Sequence, residues 1–439
     1  MIGSYEESPC ARRPRQWWSA PCLLVLIALT SIPQLAFAQS SAGATALELD
    51  EALRIAQRRS GQLAAQEAAA IAARELAVAA GRLPDPVLKA GINNLPVSGP
   101  DAGSLTRDFM TMRSIGVTQE FTRAEKRKTR AARFEREGDA AEAGRQVALS
   151  NVQRATALAW FERYYAGHVV DLLRDQRKEA ELQVEAVDAT YRGGRGSAAD
   201  VFAARSAVAL IQDRIRQSES QVANAQVALS RWIGNAADRP LGAPPALTVT
   251  RLEPEHLESR LAHHPELALM VRQEDVARAE AEVAQASKRT DWSVELMYSQ
   301  RGPAYSNMVS LNVSIPLQWD QKNRQQREVS ARLAQVEQLR GQREDATREH
   351  LAETRRWLQT WQANLERLRD YDRSVIPLAS ERTAAALTAY RGGTTPLATV
   401  LDARRAEIDV LIDRLRLEME TAALWAQLEY LIPVTEEQK

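Results

Sequence analysis

Only two cysteines occur in the 439 residues, Cys10 and Cys22. Both fall in an N-terminal stretch that reads as a secretory signal, so the mature chain is expected to hold no disulfide and no thiolate metal site. Neither sign of charge is in excess: Lys plus Arg and Asp plus Glu number 57 each. That balance argues against a nucleic-acid binder, which carries a basic surplus. Aromatic residues make up only 5% of the chain. The abundance of Ala, Arg, Gln, Glu and Leu instead suits long helices. Beyond the signal there is no run of about 18 apolar residues, so no membrane-spanning helix is expected. A secreted chain of that kind is soluble or crosses a membrane as a β-barrel.

The signal itself has three parts. Arg12, Arg13 and Arg15 form a positive region, Leu23 to Leu29 an apolar run too short to span a bilayer, and Ala36-Phe37-Ala38 a small-x-small cleavage site. Cleavage is expected after Ala38, giving a mature start at Gln39.

Catalytic constellations are also missing. The five histidines, His168, His256, His263, His264 and His350, form no H-E-x-x-H pattern. His263-His264 precedes Pro265 at a predicted helix start, and a capping or surface role is expected rather than a metal site. The Gly-x-Gly at 194–196 lacks a preceding strand and a third glycine, so it is no dinucleotide site. No P-loop is present. An enzyme is therefore not expected, nor a cofactor or bound metal.

What is present is a duplication. Thr190 to Arg205 and Ala389 to Arg404 both contain Tyr-Arg-Gly-Gly followed by Val-x-x-Ala-Arg, with Tyr191 and Tyr390 lying 199 positions apart. Two copies indicate an internal repeat rather than a solenoid. Residues 111–121 and 308–317 form a second matched pair with period-two alternation. Ile115 and Val117, like Leu311, Val313 and Ile315, point one way, while Ser114, Gly116 and Thr118, like Ser310, Asn312 and Ser314, point the other. The pattern suits a membrane barrel with lipid outside and water inside, but a strand of a soluble sheet gives the same alternation and is the reading the pattern alone favours. Each has an earlier partner strand, 86–94 and 292–300, so each half holds one hairpin.

The remainder is predicted helical. Segment 122–190 contains no proline and as one helix would be about 100 Å long; segment 319–375 repeats the situation. Val201, Val208, Ile215, Val222 and Leu229 recur every seven residues, as do Leu401, Ile408, Leu415 and Ala422, which predicts coiled-coil seams. The glycine pairs 193–194 and 392–393 then serve as helix-hairpin turns, since glycine accepts the positive φ a helix end needs.

The predicted organisation is a signal peptide (1–38), a first repeat (39–234), a linker (235–256), a second repeat (257–432) and a polar tail (433–439). Each repeat runs helix, β-hairpin, long helix, glycine turn, helix. The fold class is mainly α with two β-hairpins, and mainly α with a membrane β-barrel if the strands are in membrane. Four strands cannot close a barrel, and an open sheet edge cannot sit in lipid, so in that case several chains must share one.

With these features in place, the mature chain resembles the TolC-like outer-membrane efflux factors. The resemblance rests on the order of duplicated hairpins and coils, the two Tyr-x-x-Gly turns, Leu83-Pro84-Asp85-Pro86 before the first strand, and Lys126-Arg127 after the second. It implies a homotrimer whose three sets of four strands make a twelve-stranded β-barrel in the outer membrane of a Gram-negative bacterium. A twelve-helix coiled-coil α-barrel would extend into the periplasm. It also implies a periplasmic adaptor and an inner-membrane RND-type transporter as partners, and a passive duct as the function. Carried over, Tyr191, Arg192, Gly193, Gly194, Tyr390, Arg391, Gly392 and Gly393 would form the periplasmic tip where the adaptor docks. Asp402 matches one position of the family's acidic gate ring, and the other is Thr399 here. Asp200 and Tyr390 match a carboxylate–tyrosine link between coils, whose companion arginine falls at Thr395. The stretches Asn93-Asn94-Leu95-Pro96 and Gln119-Glu120-Phe121 are similar to outer-membrane components of heavy-metal cation pumps. The alternative is a periplasmic coiled-coil adaptor, which would carry one helical hairpin flanked by β-rich domains.

Overall fold

The structure is a computed structural model that describes residues 46–252, 259 and 263–433. The expected signal peptide, its cleavage site and residues 434–439 of the tail lie outside the described residues.

The first half runs α1 (Leu49–Arg59), α2 (Gly61–Ala80), β1 (Val87–Asn93), β2 (Met112–Phe121), α3 (Ala124–Arg192) and α4 (Ala198–Ile233). The second runs α5 (Pro265–Ala286), β3 (Trp292–Gln300), β4 (Met308–Ser314), α6 (Gln325–Asp370), a π turn (Tyr371–Val375), α7 (Ile376–Arg391) and α8 (Leu397–Glu429). The 69 residues of α3 form one helix, as the proline-free stretch predicts.

Its counterpart differs. A helix over 319–375 is the sequence expectation, yet α6 begins at Gln325 and helical structure continues past Pro377 to Arg391. A proline inside a helix removes one donor and crowds the preceding turn. The wider turn at Tyr371–Val375, just ahead of that proline, gives the ring room and lets the long helix continue.

Small residues set the helix spacing. α2 buries Ala70, Ala73 and Ala77 against α3, where a Cβ added at Gly138 would meet Ala73 Cβ at 3.8 Å. α5 buries Ala277, Ala279, Ala281, Ala284 and Ala286. Such faces let backbones approach closely. The first predicted seam is buried at Val201, Ile215 and Leu229, with Ala204, Ile211 and Ala225 beside it. The second shifts: Ile408 and Ala422 are buried, but Val400 and Ile412 replace Leu401 and Leu415. α8 packs against α3, α6 and α7, so it is buried on more than one stripe and loses strict heptad spacing.

The core lies where the two halves meet. Trp160, Phe161, Leu358, Trp361, Trp425 and Leu431 are buried together, and Phe161 meets Trp425 edge to face at 6.0 Å. Three indoles pin irregular segments around this core. Trp160 Nε1 donates to Leu47 O at 3.2 Å, Trp361 Nε1 to Leu247 O at 3.1 Å and Trp425 Nε1 to Val249 O at 2.8 Å. The predicted linker is thus docked through residue 252 rather than free. Arg251 Nε binds Glu429 at 2.5 Å and Arg239 Nη1 binds Glu51 at 2.6 Å.

The four strands form one antiparallel sheet in the order β1-β2-β3-β4, so the two hairpins lie side by side. Register brings Leu88 opposite Val117, Val117 opposite Leu296 and Leu296 opposite Leu311. A second row runs Ala90, Ile115, Tyr298, Val309. Directly paired residues share a face, so one face is apolar across all four strands. Leu88, Val117, Leu296 and Leu311 are all exposed on it. The other face carries Lys89, Ser114, Glu295, Ser310 and Asn312, with Lys89 Nζ bound to Glu295 at 3.2 Å. β2 crosses beneath that pair with Gly116, where a Cβ would fall 2.8 Å from Leu296 O. Phe121 and Trp292 stack at 4.5 Å at the helix-side end of the sheet, and Trp319 lies exposed just beyond β4.

Candidate functional site

The two glycine turns have the same geometry. At the end of α3, Arg195 N donates to Thr190 O at 3.1 Å and Gly194 N to Tyr191 O at 3.0 Å. At the end of α7, Thr394 N donates to Ala389 O at 3.0 Å and Gly393 N to Tyr390 O at 2.9 Å. Each is a Schellman motif, which satisfies carbonyls a helix end leaves open. The second glycine of each pair takes the left-handed conformation, Gly194 at φ 72° and Gly393 at φ 73°. Gly193 and Gly392 keep right-handed backbone, at φ −77° and −78°.

The flanking side chains diverge between the copies. Tyr191 is exposed, whereas Tyr390 packs onto a buried cluster of Val187, Val201, Ala204, Leu397 and Val400. Burial raises the Tyr390 phenol pKa, and the Asp200 charge raises it further. The expected partners are therefore close, but the hydrogen bonds of Asp200 run elsewhere: its Oδ2 accepts from Ser197 Oγ at 2.8 Å and Ser197 N at 3.3 Å. Together with Asp200 N donating to Ser197 Oγ at 3.1 Å, this makes a reciprocal cap that starts α4. α8 has Pro396 at that position and no such cap. Thr395, where the family's arginine would stand, has a buried hydroxyl without a hydrogen-bond partner. Arg192 binds Asp188 at 2.5 Å, and Arg391 is exposed.

Thr399 and Asp402 are exposed one turn apart on α8, and Arg405 continues the same stripe. An arginine there partly offsets the field of the aspartate.

Sequence reasoning missed the ion pairs along the coil seam. Arg214 Nη1 on α4 binds Asp409 Oδ1 on α8 at 2.7 Å. Arg404 on α8 contacts Glu179 on α3 and binds Glu407 at 3.0 Å. Arg414 Nε on α8 binds Asp372 Oδ1 in the π turn at 3.1 Å. Arg404 and Glu407 sit at helical i,i+3 spacing, but no sequence period announces the other pairs, because their partners lie on other helices. Beside them, Glu179, Tyr390, Arg404 and Glu407 line an open cleft of about 560 Å³. A further expectation needs correcting. His264 is 3% exposed and makes no side-chain cap hydrogen bond, so it is neither a cap nor a surface residue. It lies too far inside the contact between helices for either role.

Two hairpins side by side in one sheet, and two long helical hairpins with matched Schellman turns, are the arrangement that the resemblance to the TolC-like outer-membrane efflux factors implies. Compared by sequence, the chain matches no family model and no curated protein. Compared by structure, it is similar to the outer membrane protein VceC from Vibrio cholerae, with a TM-score of 0.71 and 18% identity over 88% of this chain and 96% of that one. The channel-forming protein CusC gives 0.72 and 17% over 88% and 92%. The open-state MtrE outer membrane channel of Neisseria gonorrhoeae gives 0.66 and 15% over 88% of each.

Proposed function

We propose that this chain is the outer-membrane duct of a tripartite efflux assembly. The observation that carries this reading is the continuous apolar face across all four strands, with an ion-paired polar face behind it. Exposed Leu, Val and Ile in such a stripe need lipid, and a four-stranded sheet with two unpaired edges needs neighbours to close it. A homotrimer supplies them. The stacked Phe121–Trp292 pair and exposed Trp319 suit the aromatic girdle at the periplasmic interface.

On this reading the signal peptide leaves after Ala38 and the coils hang in the periplasm. The turns at Tyr191, Arg192, Gly193, Gly194 and Tyr390, Arg391, Gly392, Gly393 receive the adaptor, which links the duct to an inner-membrane RND-type transporter. Asp402 and Thr399 face the constriction, with Asp200 and Tyr390 near the lock. The duct conducts passively, with the transporter supplying energy. Metal cations are the cargo class suggested by the resemblance around Asn93-Asn94-Leu95-Pro96.

Expression with the native signal, membrane fractionation and crosslinking test this. The protein is expected in the outer-membrane fraction, extracted only by detergent, and crosslinked as a trimer. A mature chain that is monomeric and water-soluble without detergent would refute the duct.

A further inference from the structure

Outside the tip and the sheet, three potential metal ligands meet beside the central core. His264 and Glu266 stand at the start of α5, and His350 comes from the middle of α6. One ligand atom from each lies within 4.8 Å of the others. His350 Nε2 is 3.1 Å from Glu266 Oε2, and the two imidazoles lie 4.3 Å apart. His264 is 3% exposed, and its Nδ1 is buried without a hydrogen-bond partner. An unsatisfied polar atom in that setting is costly, so its presence calls for a ligand.

We propose that His264, Glu266 and His350 form a binding site for a borderline divalent transition cation of the zinc class. Two imidazoles and one carboxylate are a zinc donor set, and three protein ligands leave a fourth position for water. Bond lengths of about 2.0–2.2 Å place tetrahedral ligands roughly 3.4 Å apart. With every separation within 4.8 Å, the cluster reaches that by closing by at most about 1.4 Å.

Burial first, then His350 and Arg154, lower the His264 pKa to about 4, so it presents the neutral imidazole that metals bind. Arg154 on α3 opposes a cation, and Glu266 and Glu353 face it. Glu353 is also shared with Arg356 at 3.6 Å, so the charge that attracts a cation comes from Glu266 itself.

The site lies within one chain and is independent of duct assembly. A cation there would staple the beginning of the second half to α6, next to α3.

The test is zinc titration by calorimetry on chelator-treated full mature protein, with cobalt(II) as a spectroscopic probe. One saturable zinc per chain is expected, with cobalt giving the visible absorption of a low-coordinate ion. Altering even an outer partner of a metal ligand costs about 10–100-fold in affinity, so His350→Ala and Glu266→Gln should each weaken binding by about tenfold or more. Glu266→Gln changes a half-exposed side chain and keeps its shape, so it serves if His350→Ala misfolds. Absence of saturable binding, or unchanged affinity in Glu266→Gln, overturns the proposal.

Discussion

Arg214 on α4 donates a hydrogen bond to Asp409 on α8 across 2.7 Å. It thereby joins the returning helix of the first half to that of the second. Both side chains are partly exposed, at 35% and 47%, so the pair contributes roughly 0.2–1 kcal/mol. In a trimer three copies add to about 0.6–3 kcal/mol, enough to shift a closed–open balance from a few-fold to about a hundredfold. Asp409→Asn keeps the shape and removes the charge. We expect a higher open probability in planar bilayers, and the same from Arg214→Ala. Equal open probability in all three proteins would remove the pair from gating.

The glycine turns separate backbone from packing. A Cβ at Gly194 or Gly393 meets nothing within 4 Å, yet both residues sit at positive φ. A substitution there therefore costs backbone energy alone, about 1–2 kcal/mol for an ordinary residue and less for Asn. Gly194→Val and Gly393→Val should lower thermal stability of the coils and impair export, while Gly194→Asn is tolerated. Gly193→Ala and Gly392→Ala should change melting temperature little. If the Ala variants prove as damaging as the Val variants, the turn chemistry assigned to the second glycine is wrong.

On the proposed duct reading, in which the Asp402 stripe lines the passage, Asp402 and Arg405 bear on ion selectivity in opposite directions. Three aspartates around a narrow axis attract cations, and three arginines one turn away weaken that field. Reversal potentials in a salt gradient should therefore move toward anions for Asp402→Ala and toward cations for Arg405→Ala, by on the order of a few-fold in permeability ratio. Two unchanged potentials would place this stripe away from the passage.

Much of this fold was legible because its signals are periodic and local. The alternation through Ile115 and Val117 and the heptads through Val201 and Ile215 each repeat a residue type at fixed spacing, and the structure places strands and a buried seam there. The duplicated Tyr-Arg-Gly-Gly located both turns, though not which glycine carries the positive φ. Contacts between distant residues gave no such signal. Arg214 and Asp409 lie 195 positions apart, and nothing in either neighbourhood marks the other. His264 and Glu266 likewise meet His350 only because α5 packs along α6. The π turn before Pro377 was hidden because local propensity reads a proline as a helix stop, whereas a widened turn just ahead of it lets the helix continue.

The two faces of the sheet permit the most direct test of the membrane reading. Leu296 sits at the middle of β3, opposite Val117 and Leu311, and is exposed on the apolar face. An arginine at the midplane of a membrane strand costs about 2–4 kcal/mol. Ser310 lies on the opposite face, in register with Met297, where a water-filled interior would accept a charge at little cost. Leu296→Arg should therefore destabilise the protein folded into vesicles or detergent by about 2–4 kcal/mol on urea titration, while Ser310→Lys folds normally. A soluble sheet with Leu296 against solvent predicts the contrary, since an exposed leucine tolerates arginine freely. Indifference to Leu296→Arg together with loss of folding in Ser310→Lys would invert the two faces.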